Sequence, residues 1–245
     1  MKISGQTVLI TGGTSGIGLA LAKMFVESGN RVIVVGRDPR KLETVEASHE
    51  LISTVQCDLG RQDELEKLLL IVQRDYPDVT VLINNAGLQH NYYLTETSLP
   101  YQRIENEIDV NFTAVVKLST MLLPLLSTKA EAAIVNVSSG LAFAPKENAA
   151  VYCATKAAVH NFTTVLRYQL EKTSIKVFEL IPPLVETAMT AGRGAGKITP
   201  ETVAGEFKAA WLKDRVEVNV GKIKLMRVML RWVPGFITNK LRYST

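Results

Sequence analysis

Tyr152 and Lys156 stand four residues apart, a spacing that puts both on one face of a helix. A phenol with an ordinary pKa of about 10 is a poor acid–base catalyst at neutral pH. An ammonium a few ångströms away favours the phenolate and draws that value down. Ser139, thirteen residues before Tyr152, offers a hydroxyl that could hold a substrate oxygen beside the phenol. Alone, a Tyr-x-x-x-Lys pair is a common accident of surface helices, and only its company gives it weight.

That company begins with Thr11-Gly12-Gly13-Thr14-Ser15-Gly16-Ile17-Gly18. Glycines in such a run let the backbone turn sharply and approach a pyrophosphate lying on a helix N-terminus. A plain strand–helix turn would use similar residues. The position between a first strand and a first helix favours the nucleotide. A dinucleotide site usually carries an acid about 20 residues on, bonded to the adenosine ribose 2′-hydroxyl. Here the corresponding strand ends in Val35-Gly36-Arg37, with no carboxylate. A guanidinium suits a phosphate ester better than a neutral diol, which points to NADP (NADPH) in preference to NAD. Asp38 next door could partly neutralise Arg37.

In chain order the motifs are Thr11-Gly12-x-x-x-Gly16-x-Gly18, Asn84-Asn85-Ala86-Gly87, Asn111, Ser138-Ser139 and Tyr152-x-x-x-Lys156. At these spacings the chain resembles the classical short-chain dehydrogenase/reductase family over about residues 4–190. The resemblance implies a Rossmann sheet binding NAD(P)H, with substrate over the carboxyl edge of the strands. It implies that Tyr152 is the general acid in reduction and the base in oxidation. Lys156 would lower the Tyr152 pKa and hold the nicotinamide ribose. Ser139 would orient the substrate carbonyl, and Asn111 would anchor a water extending a proton relay from Lys156. The same carry-over gives cofactor contacts to Gly12, Thr14, Ser15, Gly16, Ile17 and Gly18 in the phosphate loop. It adds Arg37, Asp58 and Leu59 on the adenosine side, Asn85, Ala86 and Gly87 by the ribose, and Val185 and Thr187 at the nicotinamide. One departure stands out: Pro182-Pro183 replaces the family's Pro-Gly after the sixth strand, which puts the path of the loop by the nicotinamide in question.

These residues need elements to place them. Apolar runs of strand length alternate with helical patterns, the mark of an α/β, doubly wound, mainly parallel sheet of six or seven strands with helices on both faces. The strands expected are Thr7–Ile10, Arg31–Val35, Thr54–Cys57, Val79–Ile83, Ala132–Val137 and Ile175–Leu180, with Val216–Val220 as a seventh. Helices are expected over Ile17–Ser28, Arg61–Asp75, Tyr101–Ser127 and Val151–Glu171, and one from Thr199-Pro200, a cap followed by proline at the first position. His49 and His160 read as helix-surface residues, His90 as a residue at the substrate mouth or the surface, and Cys153 as packing. No His, Cys and Asp grouping has metal-ligand spacing.

With 245 residues, 47% hydrophobic and 21% charged, the chain reads as one domain. Residues 1–188 form the cofactor-binding and catalytic core, 189–215 a substrate loop or lid, and 216–245 a basic and apolar segment. Two cysteines and no signal-peptide block point to a reducing, cytoplasmic setting. The net charge of +4 is misleading: from Asn219 onward there are six cations and no acid, which leaves the first 218 residues at −2. A nucleic-acid surface is therefore not expected. The tail (Lys222, Lys224, Arg227, Arg231, Lys240 and Arg242 among Leu225, Met226, Met229, Leu230, Trp232, Phe236 and Ile237) could lie in an anionic membrane interface. A lid or a subunit interface is the favoured reading. The family likeness also implies a homodimer or homotetramer, with Val116, Met121, Val159 and Phe162 facing the partner. The function expected is carbonyl–alcohol interconversion on a small, fairly hydrophobic molecule. Leu141, Phe143, Leu184, Met189, Phe207 and Trp211 are candidates to line its site. The alternative is an NADP(H)-binding sensor or scaffold without turnover.

Overall fold

A computed structural model of the chain describes residues 1–96 and 101–242, and of 237, 240 and 241 only the backbone. The side chains of Ile237 and Lys240 therefore lie outside the described residues. Seven strands form one sheet: β1 Thr7–Thr11, β2 Arg31–Gly36, β3 Ile52–Gln56, β4 Val81–Asn84, β5 Ala132–Val137, β6 Ile175–Ile181 and β7 Glu217–Asn219. All neighbours are parallel, in the order β3-β2-β1-β4-β5-β6-β7. The reversal of direction between β1 and β4 makes a switch point, where a crevice opens at the carboxyl ends.

Period-two side-chain alternation decides which face each strand residue covers. Val8 and Ile10 of β1, with Val32 and Val34 of β2, join one core layer. Leu9, Ile33 and Val35 join the other. The first layer is closed by α1 Gly16–Glu27 and α7 Pro200–Trp211. There Phe25, Phe178, Phe207 and Trp211 are fully buried and pack as rings, with Phe178 stacked on Trp211 at 5.0 Å. Phe207 and Trp211 are thus core residues rather than substrate lining. Thr199 caps α7 as its sequence predicts, accepting the Thr202 N–H at 3.2 Å.

The second layer is covered by α3 Gln62–Asp75, by α5 Ala114–Ser127 and by α6 Ala150–Gln169. The long helix expected over Tyr101–Ser127 is continuous, with α4 Tyr101–Ile108, a π-helical turn Asp109–Thr113 and α5 in succession. That rod is long and apolar enough to cross a bilayer by composition alone. Its Ala114, Leu118, Leu122 and Leu126 are nevertheless buried in the same core layer as Leu82 and Ile134, as a core helix requires. Three helices have no counterpart in the elements read from sequence. These are α2 Pro39–Glu46, α8 Ile223–Trp232 and α9 Pro234–Arg242. β3 also starts two residues earlier than expected and β4 two residues later.

Candidate active site

The phosphate loop is held shut from β4. The Asn85 amide donates to the Thr11 and Gly12 carbonyls at 3.0 and 3.1 Å. The Asn85 and Ala86 N–H groups both donate to the Thr11 hydroxyl. Gly12 and Gly16 have φ of 65° and 53°, the left-handed region that glycine enters without a Cβ clash. A Cβ on Gly12 would lie 2.9 Å from Ala86 Cα, and one on Gly18 would overlap the Gly12 carbonyl and the Asn85 amide. Ser15 precedes α1 with no side-chain cap, and the first turn, with Ile17 packed partly on the core, holds no acid. The helix therefore offers free N–H groups and a positive dipole end to an anion, a fit for a pyrophosphate. Thr14 packs on Gly36, and Thr187 packs on Gly16, each with a methyl 2.9 Å from where a Cβ would stand.

Arg37 is exposed just beyond β2. Asp38 does not neutralise it. Its carboxylate caps α2, accepting the Arg40 and Lys41 N–H groups at 3.1 and 3.4 Å. Among the described residues no ion pair reaches Arg37. Asp58 accepts the Gly60 N–H at 3.0 Å after β3, and Leu59 is buried in the second core layer.

Ser139, Tyr152 and Lys156 are all buried at the carboxyl ends of β4 and β5. Ser139 is the second residue after β5, and Tyr152 and Lys156 share one face of α6. Gly87 joins this group to the phosphate loop. Its Cβ position lies 3.5 Å from Lys156 Nζ and 3.4 Å from Asn111 Oδ1, while Ala86 abuts Gly12. Lys156 Nζ donates to the Val137 carbonyl at 2.9 Å and lies 5.7 Å from the Tyr152 ring centre.

The electrostatics differ from the sequence reading. Burial pushes the Tyr152 phenol up to about 12, with the Ser139 hydroxyl bonded to it acting in the opposite sense. Burial also lowers the Lys156 ammonium to about 8. The lysine is directed at a carbonyl, and desolvation of the phenol outweighs it. The site as built therefore holds a protonated phenol at neutral pH.

Asn111 sits in the π-helical segment. Its Oδ1 accepts the Leu88 N–H at 2.7 Å, and its Nδ2 donates to the Leu88 carbonyl at 2.8 Å and to the Thr155 hydroxyl at 3.2 Å. Both amide hydrogens are in use and Oδ1 keeps one free lone pair, so the side chain staples the segment after Gly87. The Pro182-Pro183 departure leaves a defined path. The Pro182 carbonyl accepts the Gly140 N–H at 3.1 Å, and the chain then pairs Val185 with Ile198 before Thr187 reaches Gly16.

Two buried acids escaped the sequence reading, and His160 was misplaced by it. Glu107, fully buried on α4, accepts the His90 N–H at 3.1 Å and the Tyr92 hydroxyl at 3.4 Å, and burial raises its carboxyl pKa. The signal was a carboxylate between Ile104 and Ile108 on an otherwise apolar face. Glu179 is fully buried in β6, and His160 turns inward to it rather than lying on the helix surface. The signal there was the i, i+4, i+8 series Tyr152, Lys156, His160, together with an acid inside an apolar strand. His49 lies in the turn after α2, where its Nδ1 accepts the Leu51 N–H. Cys153 is buried and accepts the Lys146 N–H. A surface cleft of about 370 Å³, lined by Pro145, Lys146, Glu147, Thr238, Asn239 and Arg242, does not include Ser139, Tyr152 or Lys156.

The sequence model of the short chain dehydrogenase family matches residues 6–197. An uncharacterized oxidoreductase of Bacillus subtilis, DltE, is 44% identical over 229 residues, 93% of this chain and 91% of that protein. A Burkholderia cenocepacia short chain dehydrogenase solved with NADP has a TM-score of 0.87 at 26% identity, covering 98% of this chain and 99% of that one. A Sphingobium yanoikuyae short-chain dehydrogenase solved with NADPH has a TM-score of 0.81 at 25% identity, covering 98% of both chains. A Burkholderia phymatum relative solved with NAD, at 21% identity, shares the fold with a TM-score of 0.84. The phosphate loop, the seven-stranded sheet and these likenesses agree: the chain belongs to the short chain dehydrogenase family of oxidoreductases.

Proposed function

We propose that the chain is an NADP(H)-dependent oxidoreductase that interconverts a carbonyl with a primary or secondary alcohol. The observation that carries this reading is the burial of Ser139, Tyr152 and Lys156 together at the carboxyl ends of β4 and β5, joined through Ala86 and Gly87 to the phosphate loop. When bound, the nicotinamide supplies or takes up the hydride. On reduction, Tyr152 Oη gives its proton to the carbonyl oxygen as that oxygen gains charge, and on oxidation it takes the proton back. Ser139 donates a hydrogen bond to the same oxygen and fixes its place. Lys156, which donates to the Val137 carbonyl, would hold the ribose hydroxyls of a bound nicotinamide cofactor. With both amide hydrogens of Asn111 engaged, a relay water would be held by its remaining Oδ1 lone pair or its main chain.

The phosphate loop from Gly12 to Gly18 would take the pyrophosphate, and Asp58 and Leu59 would border the adenine. Asn85 to Gly87 would border the ribose, and Val185 and Thr187 would hold the carboxamide. NADP over NAD rests on Arg37, which is exposed and has no ion pair among the described residues, the Asp38 carboxylate being turned to cap α2. Two buried free thiols, Cys57 and Cys153, support a cytoplasmic setting. Assembly as a dimer or tetramer is supported by apolar residues bare on α4 and α6.

The test is NADPH consumption against a panel of ketones and aldehydes. Turnover of at least one supports the enzyme. Tight NADPH binding with no consumption across the panel would make the chain a sensor or scaffold.

A further inference from the structure

The helices α8 and α9 lie across the Ser139 end of the site. The inner side of α8 is used within the chain: Ile223 is buried, and its Cδ1 and the Met226 Cε lie against Gly140, leaving no room there for a Cβ. Arg227 stacks on Phe143 at 4.6 Å and pairs with Glu217, and Lys224 pairs with Glu206 at 2.7 Å. The far end of α9 is tied to the loop after Phe143 through Arg242 and Glu147.

The outer side is different. Leu225, Val228 and Trp232 fall at i, i+3 and i+7 on α8, and Phe236 follows near the start of α9; all four are exposed. Lys222 and Arg231 flank them, exposed and without an ion pair among the described residues. An apolar stripe ending in a bare tryptophan and edged by cations has the chemistry of an interfacial helix. A second copy fits it poorly. A two-fold contact through this face would bring cations to cations, and the last 27 residues hold no acid to separate them.

We propose that the outer face of α8 and α9 docks on an anionic phospholipid surface. Leu225, Val228, Trp232 and Phe236 enter the acyl boundary, and Lys222 and Arg231 meet the headgroup phosphates. Docked in this way, the protein presents the Gly140 side of its site next to the bilayer.

The chain carries its own probe. It has two tryptophans: Trp211 is 0% exposed in the core and Trp232 is 77% exposed. Phosphatidylglycerol vesicles at low salt should shift the Trp232 emission to the blue and carry the protein down on sedimentation. Phosphatidylcholine vesicles should do neither. Lys222→Gln with Arg231→Gln should weaken partitioning roughly 25-fold, at about fivefold per cation near the surface. Trp232→Phe should abolish the shift while the protein still sediments. Two results would overturn the proposal. One is no shift and no sedimentation with phosphatidylglycerol at low salt. The other is a blue shift that rises with protein concentration without lipid while the scattering mass doubles, which would make a second copy the occupant.

Discussion

His160 Nδ1 lies 2.9 Å from Glu179 Oε2, and Oε1 of that buried carboxylate accepts the Ser138 hydroxyl at 2.5 Å. One acid in β6 thus ties the residue before Ser139 to the helix that carries Tyr152 and Lys156. Glu179→Ala would leave the buried Ser138 hydroxyl without an acceptor, at about 1–3 kcal/mol, and the partly buried His160 ring without its partner. The urea midpoint should fall accordingly, and Glu179→Gln, which keeps one acceptor oxygen, should lose less. An Ala variant within about 0.5 kcal/mol of the parent, the usual range for surface changes, would show that the clamp is idle.

The depressed Lys156 ammonium makes a pH prediction with a definite sign. Its folded value of about 8 lies below the ordinary 10.5, so between those pH values the unfolded chain holds a proton that the folded chain has lost. Stability from this group therefore rises with pH through that window, by roughly 3 kcal/mol in total. Cys57 and Tyr152, both pushed up to about 12, work in the opposite sense above their ordinary values. The readout is accordingly the gap between the parent and Lys156→Met, measured by denaturation at pH 7.5 and 10. The parent should gain on the variant as pH rises, and a constant gap would contradict the assignment.

Arg37→Ala should weaken NADPH binding by about 1.5–3 kcal/mol, the scale of one charged hydrogen bond, and leave NADH binding nearly unchanged. Titration of both cofactors checks this. Equal affinity of the parent protein for the two would remove Arg37 as the selector.

The faces expected to meet a partner need one correction. Val159 is fully buried within the chain, and Val116, Met121 and Phe162 are partly buried. The apolar residues left bare on α4 and α6 are instead Tyr101, Ile108, Val165 and Tyr168. Light scattering at micromolar concentration should give at least twice the chain mass, and Val165→Glu should lower it. A monomeric parent protein would rule this interface out.

The sheet was legible because its strands are apolar runs covered on both faces, and the phosphate loop because glycine spacing there answers a steric demand. What escaped detection has physical reasons too. α2 is short and mostly polar, so only its Asp38-Pro39 cap announces it. The π-helical turn at Asn111 is set by the Leu88 staple, which no local pattern records. The sign of the Tyr152 shift depends on how deeply the ring is buried, a tertiary quantity. Phe207 and Trp211 looked like substrate contacts because an apolar helix after a glycine-rich loop reads as a lid, until Phe25 and Phe178 are placed against them.

The central claim is that Tyr152 gives and takes the proton. Tyr152→Phe keeps the ring in its buried place and removes only the hydroxyl. With any carbonyl compound that the parent reduces, its turnover should fall at least about a hundredfold, the scale of a lost general acid, while NADPH binding stays as in the parent. Turnover of the Phe variant within a few-fold of the parent would contradict the account.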